Sequence, residues 1–486
     1  MPEPLLAPRV AWLAERARRD GARPALRFEG EDLTFAGLAA RVAVLAACLR
    51  AAGVRPGDRL AVLMNAGARL VEIVHAAQWT GLTLVLVNTR LTAAEIAGIL
   101  ADADPALVLA EPALAARLPA GIRALVGAQL DATAIDRPLE PVALDPRSVF
   151  TILYTSGTTG RPKGAMLTHA NHAASAAASR ANLGIVDGDR WLVALPLHHV
   201  GGLSVLFRCV LDGVPLTVQA GFDPERVLAA IAAGGVTLTS MVATMLARLL
   251  DALGGSRCPG ALRAVLLGGG PVPAALLERA WAQGIPALPT YGLTEAASQV
   301  TTASRGNARR SSASAGRPVA GTEVRIVGAG RDGVGEIAVR GPTVMAGYFR
   351  DAGATAHALR GGWLHTGDLG RIDAAGGLHV ADRRCDLIVS GGENVYPAEV
   401  EAALLAHPAV LEAGVFAEPD PEWGQRVCAA VVLRGGARAS AEDLRGFAAR
   451  YLARFKVPRS IAFFDSLPRT SSGKLQRRRL ATRERR

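Results

Sequence analysis

The chain has 486 residues, half of them hydrophobic and a fifth charged, with a formal net charge of +11. That length exceeds what one core usually serves, so at least two domains are expected, with the composition of an ordinary soluble globular protein. No apolar run approaches the ~18–20 residues of a membrane span, and the first ten residues have neither the basic nor the apolar region of a signal peptide. The five cysteines (48, 209, 258, 385, 428) are scattered without a Cys-x-x-Cys pair, which speaks for reduced thiols in a cytoplasmic protein and against a zinc site. Much of the positive charge lies beyond Lys474, where six arginines face one glutamate. No aromatic residues interleave there, so a solvated tail is expected, not a single-strand nucleic-acid surface. Its field can help anionic substrates to approach.

From Leu5 to Phe150, helical and strand-like segments alternate. Arg9–Arg19 and Leu38–Ala52 read as helices, the second closed by Gly53. Leu60–Met64 and Leu84–Val87 read as short apolar strands, and Thr92–Leu100 as a helix capped by Thr92. This alternation predicts a layered α/β fold with largely parallel strands. The apolar run Val149–Tyr154 predicts another buried strand.

That strand empties into the loop Thr155–Gly164, which carries glycines at 157, 160 and 164. Glycines let a backbone turn sharply and bring its N–H groups close to a ligand. Ser156, Thr158 and Thr159 add hydroxyl donors, and Arg161 and Lys163 add charge. The loop suits phosphate oxygens, although no Walker A pattern occurs in the chain. A glycine-rich surface turn is the plain alternative and fits all ten residues poorly.

Downstream, Thr168–Asn182 reads as an alanine-rich helix ended by Gly184, Trp191–Leu195 as a strand, and Leu203–Leu211 as a helix after the segment Leu195–Gly202. Residues 227–270 repeat the helix–strand rhythm and end in Gly268-Gly269-Gly270. From Thr322 to Val380 apolar and polar residues alternate, which predicts antiparallel strands and a small β-barrel. The charged stretch 382–386 reads as a linker. Beyond it, Leu387–Ser390, Pro397–Leu405, Val427–Leu433 and Ala441–Leu452 predict a compact α+β unit of ~100 residues.

Six separated stretches, in order, resemble the motifs of the adenylate-forming superfamily: acyl- and aryl-CoA synthetases, adenylation domains and firefly luciferase. The resemblance covers nearly the whole chain. It implies a large N-terminal domain over 1–381, a hinge at 382–386, and a small mobile C-terminal domain over 387–486. The implied reaction activates a carboxylate with ATP to an acyl-adenylate and then transfers the acyl group to a thiol, coenzyme A.

The loop of Thr155, Ser156, Gly157, Thr158, Thr159, Gly160 and Lys163 then holds the β- and γ-phosphates. In Tyr291–Glu295, Thr294 contacts phosphate and Glu295 binds Mg²⁺, since a carboxylate among phosphates requires a cation. A helix start with an acidic first turn is the plain reading of that pair. Gly268, Gly269, Gly270, Tyr291 and Gly292 belong to the nucleotide site. Asp368, in Trp363–Asp368, accepts from the ribose, supported by Arg383. Asp368 merely holding a turn is the plain alternative. The hinge departs from the family pattern, because Cys385 takes the pivot position. Lys474 bridges the α-phosphate and the acyl carboxylate. Gly391 and Gly392 make room for the pantetheine arm of CoA.

Within the superfamily, Leu195–Arg208, Met241–Leu246, Gly268–Pro271 and Ser298-Gln299 resemble the o-succinylbenzoate–CoA ligases of menaquinone biosynthesis. His199 matches the family's histidine, a catalytic and acyl-pocket position, while His198 departs from the family's aromatic residue. Arg208 carries the physical argument. A buried guanidinium needs an anion, and o-succinylbenzoate keeps a second carboxylate. With His199 and Ser298 it makes up the expected acyl pocket. An arginine snorkelling to the surface is the competing reading. Fatty acyl-CoA synthetases, aryl-CoA ligases and a stand-alone adenylation module that loads a carrier protein remain open alternatives. A nucleic-acid-binding protein explains only the charge. A homo-oligomer is compatible with the sequence, which does not decide the point.

Overall fold

The computed structural model describes residues 9–130, 138–156, 162–260, 262–270, 272–306, 308, 314–331, 333–382, 387–468, 475 and 477–480. The chain divides into two compact units, one of Met1–Thr89, Leu100–Leu153 and Gly164–Ala381, the other of Arg90–Ile99, Tyr154–Lys163 and Asp382–Arg486.

In the first unit, the apolar runs expected as strands form one sheet. Arg59–Leu63 pairs in parallel with Thr83–Leu86 and Leu107–Ala110, and Thr83–Leu86 with Val149–Ser156. Both faces are covered, which is why these strands read as unbroken Leu/Val/Ala runs. The sheet continues through β1 (Pro162–Thr168), so the predicted phosphate loop is shorter than expected: Lys163 and Gly164 already lie in a strand. A second sheet of nine strands has a parallel centre of Leu216–Val218, Trp191–Val193, Leu238–Met241, Ala264–Leu267 and β2 (Ala287–Leu293). β3 (Ser298–Thr302) turns back antiparallel on β2. The layered α/β expectation holds.

Two helices matter for the site. α1 (His169–Leu183) starts on a capping box between Thr168 and Asn171 and stops at Gly184 in the left-handed region. α2 (Val200–Asp212) ends at left-handed Gly213. It begins three residues before the expected Leu203. Gly202 allows this, because a Cβ there would lie 2.4 Å from the Pro196 carbonyl oxygen.

The alternating segment forms a five-stranded antiparallel sheet built on Glu323–Val327, Gly335–Arg340 and β5 (Trp363–Ile372). Between its strands, the two-residue β4 (Gly347–Tyr348) leaves to pair with β1 in the seven-stranded sheet. Among the described residues, no helix is long and apolar enough to cross a membrane.

The second unit contains a five-stranded sheet with Gly424–Leu433 paired to Val410–Asp420, Ile388–Ser390 and Ser460–Phe463. Helices Pro397–Leu405 and Ala441–Ala448 supply Val400, Leu404 and Leu444 to its core. Its last described turn is anchored. Arg477 forms a two-pronged ion pair with Glu401 (3.0 and 2.8 Å), and Leu475 and Leu480 fill the space that a side chain at Gly414 would take.

The first unit's core also holds three histidines. His169 stacks on Phe150 (4.7 Å between centroids), and His172 packs edge-on against Phe207 with Nε2 2.9 Å from the Thr151 hydroxyl. His75 and His172 are buried, and loss of solvation lowers their pKa to about 4 and about 3; the same cause brings His169 to about 4. As the pH falls below ~6.5 the unfolded chain takes up protons that these folded imidazoles refuse. Stability is therefore complete above that value and declines toward pH 4, by about 2 kcal/mol per histidine at pH 5. Urea unfolding at pH 7 and pH 5 is expected to differ by several kcal/mol; equal midpoints would show that the imidazoles charge freely in the folded chain.

Candidate active site

One hairpin carries much of the predicted site. β2 ends in Tyr291-Gly292-Leu293, a single 3₁₀ turn spans Thr294–Ala296, and β3 returns from Ser298. The return is tight, with Ala297 and Ser298 at φ 49° and 100°. A Cβ at Gly292 would fall 1.7 Å from the Ser298 carbonyl oxygen, so this approach by itself demands glycine. The Ser175 hydroxyl on α1 donates to the Ala297 carbonyl at 2.6 Å and holds the turn from beneath.

Tyr291, 4% exposed, donates its hydroxyl to Asp368 Oδ2 at 2.7 Å. Asp368 is braced from its own strand as well. Its N–H donates to Thr366 Oγ1 (3.1 Å), and the Thr366 hydroxyl donates to the Ile337 carbonyl (2.7 Å). Glu336 accepts the Gly367 N–H at 3.0 Å and lies 2.9 Å from His365 Nδ1. Two of the expected nucleotide residues, Tyr291 and Asp368, are thus joined directly. Tyr291 acts on Asp368 through its hydroxyl. Sequence reasoning missed Glu336, whose strand shows only alternation.

Glu295 sits on the 3₁₀ turn and is half-buried. Tyr348 donates to its Oε1 at 2.7 Å, and among the described residues Oε2 has no hydrogen-bond partner. A carboxylate with one oxygen held and the other open, next in the chain to the Thr294 hydroxyl, offers hard oxygen donors and fits Mg²⁺.

The glycine triplet follows the strand Ala264–Leu267. Gly268 is fixed by packing, since a Cβ would meet Thr290 Cγ2 at 2.7 Å, and Gly269 has φ 82°. Gly270 is half-buried. Thr155 and Lys163 are half-buried, with the Thr155 hydroxyl 3.4 Å from the Lys163 carbonyl oxygen. Ser156 ends its strand. Gly157, Thr158, Thr159, Gly160, Arg161, Arg383, Cys385 and Lys474 lie outside the described residues. In the second unit, Gly391 (φ 58°) has its own packing reason: a Cβ would strike the Trp423 ring at 2.5 Å. Gly392 has φ 82°.

α2 carries His199 at its N-cap, half-buried with its ring 4.5 Å from that of His198. Arg208 follows on the same helix and is 2% exposed, which removes the snorkelling alternative. Its Nη2 lies 3.3 Å from Ser298 Oγ, its guanidinium carbon 5.8 Å from the Trp191 ring centre, and its Nε is buried without a partner. No described carboxylate lies within ion-pair distance of it. Asp212, one turn on, is engaged by Arg180 at 3.0 Å. Burial lowers the Arg208 pKa to about 10, with Asp212 opposing, so the group stays cationic at neutral pH. Burial also raises Asp212 to about 6 against the pull of Arg180 and Arg208.

A braced aspartate, a half-held glutamate and a buried cation thus share one α/β frame. The AMP-binding enzyme family matches residues 13–349, and the AMP-binding enzyme C-terminal domain matches residues 399–474. The chain belongs to the AMP-binding enzyme family. More narrowly, it is 45% identical over 474 residues to a 2-succinylbenzoate–CoA ligase of Geobacillus kaustophilus, covering 96% of each. It also resembles the solved o-succinylbenzoate CoA synthetase of Bacillus subtilis. With a product analogue bound, that structure matches at TM-score 0.92 and 40% identity, covering 98% of this chain and 99% of the other. In complex with ATP and magnesium ion it matches at TM-score 0.72 and 40% identity, covering 97% and 99%.

Tyr291→Phe removes one charge-assisted hydrogen bond from Asp368. Such a bond contributes ~1.5–3 kcal/mol, so the KM for ATP is expected to rise on the order of 10- to 100-fold with the KM for the acid unchanged. Steady-state kinetics with each substrate varied in turn checks this; a change confined to the acid would contradict the assignment of Asp368 to ribose.

Proposed function

We propose that the protein is an ATP- and Mg²⁺-dependent acid–CoA ligase that converts 2-succinylbenzoate to 2-succinylbenzoyl-CoA through an acyl-adenylate. The observation that carries the choice of acid is Arg208, a buried guanidinium with an open Nε and, among the described residues, no carboxylate at ion-pair distance. A buried cation left unpaired costs several kcal/mol. A substrate that brings its own second carboxylate supplies the missing anion, whereas a fatty acid or a benzoate does not. The likeness to the Geobacillus ligase supports the same acid.

In the first half-reaction a carboxylate oxygen of the acid attacks the α-phosphorus of ATP. The acyl–O–P bond forms, the bond to the β-phosphate oxygen breaks, and pyrophosphate leaves. Thr155–Lys163 grip the β- and γ-phosphates, and Asp368, set by Tyr291, accepts from the ribose hydroxyls. Lys474 stabilises the charge that accumulates between the α-phosphate and the carboxylate. Bound Mg²⁺ neutralises phosphate charge, and Glu295 and Thr294 are the residues that hold it. In the second half-reaction the CoA thiolate attacks the acyl carbon and AMP leaves, with Gly391 and Gly392 beside the pantetheine arm. The residues divide at a hinge, 382–386, into an N-terminal domain (1–381) and a mobile C-terminal domain (387–486). The two half-reactions use different placements of the smaller one. The enzyme works in the cytoplasm.

A thioester screen by mass, with 2-succinylbenzoate, benzoate, hexanoate and palmitate, is expected to yield product with 2-succinylbenzoate alone. Fatty acyl products would retain the ligase class and discard the acid. Arg208→Met should lower kcat/KM for 2-succinylbenzoate on the order of 10²–10³-fold while leaving the melting temperature level or raised, because an apolar side chain replaces a buried charge. Lys474→Ala is expected to abolish adenylation and to spare thiolation of a supplied acyl-adenylate; loss of both in a folded protein contradicts its role.

A further inference from the structure

The short strand β4 is a strap between two parts of the first unit, and hydrogen bonds fix its backbone along most of its length. At its start, the Asn171 side chain of α1 donates to the Pro342 and Val344 carbonyls at 2.8 and 2.9 Å. The Met345 N–H then donates to the Glu295 carbonyl at 2.9 Å. The Ala346 N–H donates to the Met166 carbonyl (2.9 Å) and the Phe349 N–H to the Gly164 carbonyl (2.8 Å), both on β1. Between those two bonds lie Gly347 and Tyr348, paired with Met166 and Ala165. Gly347 has φ 144°, and a Cβ there would meet Thr355 Cγ2 at 2.8 Å. Thr355 in turn accepts the Tyr348 N–H at 2.8 Å. The backbone of Tyr348 is therefore fixed from three directions, and its hydroxyl ends 2.7 Å from Glu295 Oε1.

We infer that Tyr348 is a positioning residue for the metal-binding carboxylate. Held at Oε1 by the tyrosine and at its own peptide carbonyl by Met345, Glu295 has one rotamer and one open oxygen, Oε2. A free glutamate on a 3₁₀ turn samples several rotamers, and binding a cation must freeze them. A pre-set carboxylate avoids that loss. The hydroxyl also separates the roles of the two oxygens, one accepting a hydrogen bond and the other available to a hard cation. This inference rests on the reading of Glu295 as the Mg²⁺ ligand of an ATP-using enzyme.

The test is Tyr348→Phe, which removes only the hydroxyl. Mn²⁺ serves as a magnetic stand-in for Mg²⁺, and its binding in the presence of a non-hydrolysable ATP analogue is followed by loss of the free-ion electron paramagnetic resonance signal. The Mn²⁺ dissociation constant is expected to rise about 5- to 20-fold, the loss of one charge-assisted hydrogen bond. The AMP dissociation constant should stay the same, because AMP lacks the β- and γ-phosphates. In a double-mutant cycle, Tyr348→Phe should add nothing further once Glu295→Ala is present. An unchanged Mn²⁺ constant, or additive losses in the cycle, overturns the positioning role. So does a Tyr348→Phe protein that no longer folds, since that outcome makes the hydroxyl a structural group. If the wild-type protein itself binds no Mn²⁺ with the analogue, the metal assignment of Glu295 fails instead, and the two failures are told apart.

Discussion

The missing side chain at Gly292 is the constraint on which the site depends. Only because that position is bare can the Ser298 carbonyl lie where a Cβ would otherwise be, and only then can β2 and β3 close over a single 3₁₀ turn. Within eight residues the chain then presents a tyrosine to Asp368, a glutamate to Tyr348 and a serine to the buried Arg208. Three side-chain contacts of the candidate site share one short piece of backbone. The left-handed conformations at Ala297 and Ser298 cost on the order of 1–3 kcal/mol each, and the surroundings must hold them. α1 does so from below through Ser175, and the β4 strap does so at the Glu295 carbonyl.

Arg208 shows the same economy in electrostatic form. A charge in a protein interior usually finds a partner on its own element, and Asp212 stands one turn away in the right place. Arg180, from α1, takes that carboxylate instead. The result is a guanidinium that is buried, still ionised and, among the described residues, without a carboxylate at ion-pair distance. A fold that needed only stability would replace it with an apolar side chain.

Much of this architecture was legible in the residues. Short Leu/Val runs separated by helical periods gave the parallel layers, because strands covered on both faces have no polar side to show. The alternation after Thr322 gave the antiparallel sheet for the converse reason. Element ends were less legible. α2 starts early because the Pro196 carbonyl occupies the space beside Gly202, a close backbone approach over six residues that side-chain periodicity does not announce. Tyr291, Glu295 and Asp368 could be picked out because their stretches resemble motifs of the superfamily, and Arg208 because a buried guanidinium needs an anion as well. The groups that aim them could not. Glu336 and Tyr348 read as ordinary positions in the alternating segment, and Asn171 as one more residue of an alanine-rich helix. Their roles come from hydrogen bonds across 29, 53 and more than 170 positions, and sequence spacing carries no trace of such distances.

The sharing of one hairpin also bears on how this enzyme can diverge. The Ser298 hydroxyl faces Arg208, but its carbonyl and its left-handed backbone belong to the turn that carries Glu295, so a bulky or β-branched replacement disturbs the surroundings of both side chains. Arg208 touches the hairpin only through its side chain, Nη2 to Ser298 Oγ, and its own backbone lies in a regular helix that ends at left-handed Gly213. New acid preferences in descendants of this chain therefore have an open route through α2 and a closed one through β3. Drift in substrate range should leave its record at and around position 208, while the stretch from 291 to 298 stays still.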